Sequence, residues 1–411
     1  MSPVAGGRRT RLLVARFAGS ALQLLMTLAL TRTSDPATAA ACLVQFSWVQ
    51  LASAAVAWGH PVVVLRDASA NYVDGRKYIL SGHLRWALVA GVAVSVTGTF
   101  IASSLLGVDP VVAALVGVSA LCQALTRIFS QALKAFAREA SAIVLEFSLV
   151  PAALTLAIAI GALQGGVTSL SFAVIQAAAS GVALVVIAAL WRRITPPAGS
   201  SALERRRRPR RGSLHYLGLL QMISIGTAQL PIVLAPALLE STSVAAFVVA
   251  FRVASLVTTV QNALNGYYGP SYARAFARSS KAEVARLLRS SQVMAAALCA
   301  PVVLVIPFAG PLLGVFGSEY SSAGAAYAIL AVGQYVNAVT GLVSYVLSLS
   351  HREAALIVVN IASLGVLVVG WGLMVIMQSQ SLELYCATFS LYLSAKNVAN
   401  YVLARRLIRS M

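Results

Sequence analysis

Long apolar runs, separated by short polar or basic segments, dominate this chain. A helix rises about 1.5 Å per residue and the hydrocarbon core of a bilayer is about 30 Å thick, so a run near 20 residues is long enough to cross it. About twelve such runs occur, and each is predicted to be a helix because lipid cannot satisfy the backbone groups of an open sheet. We place them at residues 12–31, 38–64, 84–106, 109–130, 141–162, 167–190, 214–236, 243–265, 289–309, 323–347, 354–376 and 382–404.

Composition agrees with an integral membrane protein. Hydrophobic residues make up 59% of the chain and charged residues 10%, and the mean hydropathy of +0.83 exceeds what a soluble core needs. Residues 8–41 imitate a signal peptide, with Arg8 and Arg9 before an apolar run. That run is long, carries Arg16 and leads straight into further spans, so we expect an uncleaved first helix.

The net charge of +19 could suggest a nucleic-acid partner, but the positions of the basic residues indicate a membrane instead. Of the 31 Lys and Arg residues, all but four are assigned to segments on one side of the membrane. Arg127 is among the residues assigned to that side. The exceptions are Arg32 in an outer loop and Arg16, Arg252 and Lys396 within spans. The positive-inside rule therefore predicts that both termini face the cytoplasm of a bacterial inner membrane, with phospholipid as the surrounding partner and no nucleic acid.

One long polar segment divides the chain into two halves. Residues 193–212 contain Pro, Gly, Ser and a tract of Arg, and are predicted to be a basic cytoplasmic linker between lobes at 1–192 and 213–411. The stretch at 35–53 resembles that at 240–258, which indicates an internal repeat. Because six is even, both halves enter the membrane in the same orientation. The predicted fold class is all-α, with two six-helix bundles related by a pseudo-two-fold axis along the membrane normal around a central cavity.

Polar residues recur at helical spacing on four of the predicted spans. The bland explanation is interhelical hydrogen bonding, and the functional one is the lining of a substrate path. The stripes consist of Arg16, Ser20, Gln23 and Thr27; Arg252, Ser255, Thr259 and Asn262; Gln334, Asn337, Gly341 and Ser344; and Lys396, Asn397 and Asn400. The candidate substrate-binding residues are Arg16, Gln23, Arg252, Ser255, Thr259, Asn262, Asn337 and Lys396.

Arg252 is the most telling of these residues because it lies far from both ends of its span. A central Arg costs at least about 2.5–3.5 kcal/mol on insertion scales. A wet cavity or an anionic substrate would compensate that cost, and so would a structural ion pair. Glu146 is the one acid placed beyond the first two residues of a predicted span, near the inner face. Arg16 could instead extend to the interface.

Other chemistry finds little support in the sequence. Cys42, Cys122, Cys299 and Cys386 lie in separate apolar runs and are predicted to be small buried side chains rather than a disulfide or zinc framework. No nucleotide loop or catalytic triad is recognisable, so neither an enzyme nor a cofactor is expected, and the coupling ion stays open. Ser280-x-x-Glu283 reads as a capping box that begins a short amphipathic helix along the inner face.

Several stretches resemble the polysaccharide-transport branch of the multidrug/oligosaccharidyl-lipid/polysaccharide flippase superfamily. They are RLLVARFAGSALQLLMTLALTR, AAFVVAFRVASLVTTVQNALNGYYGPSYARAFA, KAEVARLLRSSQ and FGSEYSSAGAAYAIL. The resemblance implies two six-helix bundles that face a central cavity and move an undecaprenyl-diphosphate-linked oligosaccharide outward by alternating access. It also implies that Arg16 and Arg252 project toward the diphosphate. QLPIVLAPALL departs from the pattern, since this family often has a charged or Asn-Asp type residue there.

The expected function is therefore that of a flippase for cell-surface polysaccharide synthesis, with polymerases or glycosyltransferases of the same pathway as possible partners. The alternative is a cation-coupled multidrug or metabolite exporter of the same superfamily. Such exporters usually rely on membrane-embedded acids, and predicted helices 1, 7 and 8 carry none at depth. A membrane glycosyltransferase, polymerase or ligase is a weaker alternative because the predicted outer loops are short.

The charge asymmetry makes a topological prediction. Single cysteines at Ser200 and Met411 should be protected from an impermeant thiol reagent in intact cells, whereas cysteines at Glu240, Glu319 and Glu383 should react. Permeabilised cells supply the control, because positions 200 and 411 should then react as well. Labelling of position 200 in intact cells would contradict the predicted topology.

Overall fold

The structure is a computed structural model that describes residues 3–70, 76–106, 108–135, 139–163, 166–194, 211–278, 280–349 and 353–410. Its regular elements are helices throughout these residues. They are α1 (Pro3–Thr33), α2 (Pro36–Ala57), α3 (His60–Ala70), α4 (Arg76–Leu106), α5 (Pro110–Ala135), α6 (Glu139–Phe147), α7 (Leu149–Ala162), α8 (Ser169–Ile194), α9 (Arg211–Leu234), α10 (Ser241–Ala254), α11 (Val257–Ala277), α12 (Lys281–Leu304), α13 (Ala309–Gly314), α14 (Gly324–Leu349), α15 (Glu353–Ile376) and α16 (Leu382–Ser410). Three short 3₁₀ helices lie at Ala235–Ala237, Ile306–Phe308 and Ser318–Ala323.

Each of the twelve predicted spans corresponds to one or more helices of the described chain. The all-α membrane fold is therefore confirmed. Within those residues, eight helices are long and apolar enough to cross a bilayer, and the pair α6–α7 makes a ninth if it counts as one span. Several helices extend past the predicted bounds, since helical hydrogen bonding does not stop at the edge of the hydrocarbon.

The chain divides into two compact units, Met1–Val233 and Leu234–Met411. Helix α9 therefore falls within the first unit, although the polar segment at 193–212 places it in the second predicted lobe. The lobe boundaries at 192 and 213 rest on that polar segment and stay a prediction. Most of the predicted linker, 195–210, lies outside the described residues.

The two repeated stretches begin their helices in the same way. Asp35 precedes α2 with φ −62° and ψ 157°, and Glu240 precedes α10 with φ −65° and ψ 155°. The Asp35 carboxylate accepts hydrogen bonds from the amides of Ala37 and Thr38 at 3.0 Å, so it caps the helix. Hydrogen bonds from Thr38 lower the pKa of Asp35. An acidic residue also suits the positive end of the helix dipole.

Three spans that were predicted as continuous helices are broken. The second span is interrupted at Trp58 and Gly59, both of which have positive φ. The fifth bends by 41° at Ser148, between α6 and α7, because Pro151 cannot donate a backbone hydrogen bond to the preceding turn. The eighth is interrupted at Ser255–Leu256. The uninterrupted helices expected from hydropathy are wrong at these three places.

The cores of the two units differ in chemistry. In the first unit, helices α2–α6 and α8 share an aliphatic cluster around Ile128, Leu133 and Ile187, each fully buried. In the second, α10 packs against α16 through aromatic rings: Phe247 meets Tyr385 with ring centroids 5.0 Å apart, and Phe251 meets Phe389 at 5.4 Å. Edge-to-face contacts of this kind add about 0.5–1.5 kcal/mol each to the burial of the rings.

The expectation of a separate amphipathic helix before the ninth span is wrong, because α12 runs unbroken from Lys281 to Leu304. Ser280 does precede its first turn, but its hydroxyl makes no capping hydrogen bond. The prediction of buried cysteines is confirmed for Cys42, Cys299 and Cys386, whereas Cys122 is half-buried.

A glycine contact joins α9 to the break in the second span. A Cβ on Gly59 would lie 2.5 Å from the Gly218 nitrogen, and a Cβ on Gly218 would lie 2.7 Å from Trp58 Nε1. Gly59 also has φ +72°, which disfavours other residues. Both glycines are therefore required by close approach.

Replacing Gly218 with Ala should lower the melting temperature of the detergent-solubilised protein, because overpacking costs about 1–3 kcal/mol. Gly226→Ala on the same helix is the matched control: a Cβ there has no neighbour within 4 Å. That control should be neutral or stabilising by up to about 1 kcal/mol, since Ala favours helix. Equal melting temperatures for the two variants would show that the Gly218 contact is not tight.

Candidate functional site

A polar layer crosses the second unit at the middle of two long helices. Lys396 lies 14 residues from either end of α16, or about 21 Å along its axis. Asn337 is equally central in α14. The Asn397 amide donates to Asn337 Oδ1 at 2.9 Å and to the Leu393 carbonyl at 2.7 Å, so α14 and α16 are joined at this depth.

Two features of this layer point to ligand chemistry. Asn400 is 1% exposed, and within the described residues neither its amide nitrogen nor its amide oxygen has a hydrogen-bond partner. Lys396 Nζ lies 5.4 Å from the centroid of the Tyr392 ring, a cation–π contact that offsets part of the cost of its charge. An ammonium beside several amides is suited to bind hydroxyl and anionic groups.

Arg252 lies in the last turn of α10, immediately before the break in the eighth span. It is 11 residues past Ser241, or about 16 Å into the membrane segment, and its Nε is buried. The C-terminal end of a helix attracts a cation through its exposed carbonyls. The break thus stabilises a charge at a depth where lipid alone would not.

The other predicted members of the Arg252 stripe do not form one continuous face. The Ser255 hydroxyl donates to the Arg252 carbonyl at 3.1 Å, so it satisfies a backbone carbonyl in the last turn of α10. Beyond the break, Thr259 is buried while Asn262 is exposed. The prediction assumed an unbroken helix, whereas the α-helix is interrupted at Ser255–Leu256.

Arg16 and Gln23 belong to the first unit. Arg16 is exposed and lies two residues into the apolar stretch Val14–Thr33, a position from which its side chain can reach the interface. Gln23 is half-buried, and its backbone carbonyl accepts a hydrogen bond from the Thr27 hydroxyl at 2.9 Å. Of the eight candidates, Asn337 and Lys396 lie in the polar layer of α14 and α16. Arg252, Ser255, Thr259 and Asn262 lie on the two sides of the break between α10 and α11.

The sequence analysis missed a polar network inside the first unit. Arg127, assigned from the sequence to an inner segment, is buried within α5 at 9% exposure. Its guanidinium donates to Gln50 Oε1 on α2. Gln50 in turn donates to Gln123 Oε1 at 2.9 Å, and Gln123 donates to the Ser180 hydroxyl on α8 at 3.2 Å. Three helices are therefore tied together by side chains that replace water around a cation.

Glu146, the acid predicted near the inner face, is paired rather than free. Its Oε2 accepts Lys134 Nζ at 2.7 Å and the Ser130 hydroxyl at 2.5 Å. Ser119, Gln123, Arg127, Ser130 and Lys134 recur at helical spacing along α5. The helical spacing that identified the other polar stripes also holds for these residues. This stripe was not predicted because Arg127 was assigned to the end of its span.

Comparisons with solved structures place this fold among known transporters. The chain aligns over 97% of its length with 98% of an inward-facing multidrug resistance MATE family transporter of the MOP superfamily, with TM-score 0.75 and 15% identity. An outward-facing MATE family transporter aligns over 98% of this chain and 96% of its own, with TM-score 0.71 and 14% identity. A MOP superfamily transporter from Pyrococcus furiosus gives the same coverage, score and identity; its binding pocket is described as having reverse polarity, suggesting a different function.

No known family profile and no curated protein matches the sequence. At this level of identity, the comparisons establish the fold, which is the twelve-helix, two-lobe architecture of the MATE transporters. The substrate is therefore argued from the chain's own side chains.

The Glu146–Lys134 pair makes a stability prediction. Glu146→Gln should destabilise the protein by about 3–5 kcal/mol, toward the lower value because the Lys134 side chain keeps 16% exposure. Adding Lys134→Met should recover much of the loss, since both charges are then absent. Thermal unfolding of the wild type, both single variants and the double variant measures the coupling. Strictly additive effects would show that the pair contributes nothing.

Proposed function

We propose that this protein is a secondary transporter that exports its substrate by alternating access. The observation that carries the proposal is the match of nearly the whole chain to MATE family transporters captured in inward- and outward-facing conformations. This match favours the multidrug or metabolite exporter over the flippase expected from sequence resemblance. We retain the cytoplasmic membrane, with both termini inside, as the proposed location.

The charges of the site favour an anionic substrate. Arg252 and Lys396 lie deep in the spans of the second unit. Glu146, the acid deepest in the described spans, is neutralised by Lys134. A cationic drug would be repelled by such a site, whereas an anion would recover part of the cost of holding two cations in low dielectric.

A lipid-linked oligosaccharide is the second candidate substrate, and the same two cations favour it. Its diphosphate would suit Arg252, whose planar fork can hold two phosphate oxygens, and Lys396 would act as a second point charge. The amides of Asn337, Asn397 and Asn400 can donate to and accept from sugar hydroxyls. Polymerases or glycosyltransferases as partners belong to this candidate alone.

Purified protein in proteoliposomes distinguishes these substrates. Parallel vesicles receive a fluorescent anionic amphiphile, a cationic dye or a labelled lipid-linked oligosaccharide, each with and without an imposed ion gradient. The proposal expects transport of the first and none of the second, and transport of the third identifies a flippase. Gradient-driven movement of the cationic dye alone would overturn the anionic assignment. Empty liposomes and a heat-inactivated sample control for leak.

Substitutions then test the two cations. Arg252→Ala and Lys396→Met should abolish most transport with little change in membrane abundance, while Arg252→Lys should keep part of it because the charge remains. Arg286→Ala is the matched control, since Arg286 is exposed on α12 of the same unit. If Arg252 acts only in structure, its loss should lower the melting temperature instead. Full transport by Arg252→Ala at normal abundance would remove Arg252 from the site.

A further inference from the structure

Two histidines meet at the break in the second span, outside the site described above. His60 is the first residue of α3, and its Nδ1 lies within hydrogen-bond distance of His83 Nδ1 on α4, at 2.5 Å. The ring of His60 also lies 4.3 Å, centroid to centroid, from that of Trp86. His60 is 5% exposed, and its Nε2 has no hydrogen-bond partner among the described residues.

The same break is fastened to α9. The Gly59 amide donates to Gln221 Oε1 at 3.2 Å, and the Trp58 indole lies against Gly218. A displacement of the start of α3 therefore has to disturb this contact with α9. The histidine pair and the glycine contact act on adjacent residues, which couples the position of α3 to that of α9.

Proton counting makes the histidine contact conditional. A neutral imidazole has one N–H and one lone pair, so one Nδ1 can donate to the other. When both rings are protonated, both Nδ1 atoms carry hydrogen and no lone pair remains between them, so the contact is lost. An extra proton on His60 Nε2 would leave a buried donor unsatisfied, at a cost of about 1–3 kcal/mol. The start of a helix also disfavours a cation.

Among the side chains that the structure describes, no charged group on a neighbouring helix replaces His83 as the partner of His60. Helix α2 has no charged residue. On α5, Arg127 and Lys134 bond to Gln50 and Glu146, and Glu139 begins α6. Arg85 on α4 and His215 on α9 are exposed. Among the described groups, His83 is the one whose charge acts on His60.

We propose that the His60–His83 pair is a proton-binding site that couples protons to the conformational cycle. The rings in contact bind fewer protons than the separated rings, so by linkage falling pH favours separation, and separation favours proton uptake. Separation on acidification releases the start of α3 and loosens its contact with α9. The coupling of protons to transport rests on the proposed function, whereas the proton site itself does not.

Tryptophan fluorescence tests the proton site without any substrate. A protonated imidazole quenches an adjacent indole, so Trp86 should report the charge on His60. The purified wild type, titrated from alkaline to acidic pH, should show a quenching transition that Trp86→Phe removes. His60→Gln and His83→Gln should also abolish it, and each supports the conclusion if the other fails to fold. His215→Gln, at an exposed position on α9, should retain it.

Hydrogen exchange tests the conformational part. Backbone amides at 54–64 should exchange faster at acidic than at neutral pH in the wild type, beyond the intrinsic dependence measured on the unfolded chain, and His60→Gln should show no such excess. A quenching transition that persists in His60→Gln would overturn the proton site. A normal transition with no excess exchange would overturn the coupling to α3. If both assays succeed but no substrate is transported, the proposed function fails while the proton site stands.

Discussion

Every backbone amide that crosses hydrocarbon must find its hydrogen-bond partner inside the protein, because lipid offers none. That constraint makes the described spans helical and leaves few ways to interrupt them. Where a span is broken, the exposed backbone groups are taken up locally. Gln221 accepts the Gly59 amide, and the Ser255 hydroxyl donates to the Arg252 carbonyl. Pro151 creates the break in the fifth span by having no amide hydrogen to donate.

An ionisable residue lies beside each of the three breaks. His60 follows the first, Glu146 precedes the second by two residues, and Arg252 lies in the last turn before the third. Helix ends carry partial charges that continuous helices lack within the membrane. The end of α10 favours the Arg252 cation, whereas the end of α6 disfavours the Glu146 anion, which Lys134 neutralises instead, and the start of α3 disfavours a cation on His60. Breaks are also the positions at which a helix can change direction with little loss of hydrogen bonding. Ionisable residues and the points at which a helix can change direction are therefore located together in this fold.

The two units manage their buried charges differently. In the first, Glu146 is neutralised by Lys134, and Arg127 donates to the amide oxygen of Gln50, which in turn donates to Gln123. In the second, Lys396 faces an aromatic ring and Asn400 keeps unfilled hydrogen-bonding capacity. The first arrangement serves stability, because its partners belong to the protein itself. The second gains most from a partner supplied from outside, which is why we place the substrate there and infer that it carries negative charge.

Hydropathy alone determined the class of this protein, since the length of each apolar run and the thickness of a bilayer are fixed by simple geometry. It also located nearly every helix, along with the depth of Arg252 and Lys396, because depth follows from residue counting. It could not find the breaks at Gly59 and Ser255, which depend on close approach and turn conformation rather than on apolarity. Nor could it predict that Asn397 bonds to Asn337, that Arg127 is buried, or that His60 meets His83. Those pairs are distant in sequence, and only the packing of separate helices decides which side chains face one another.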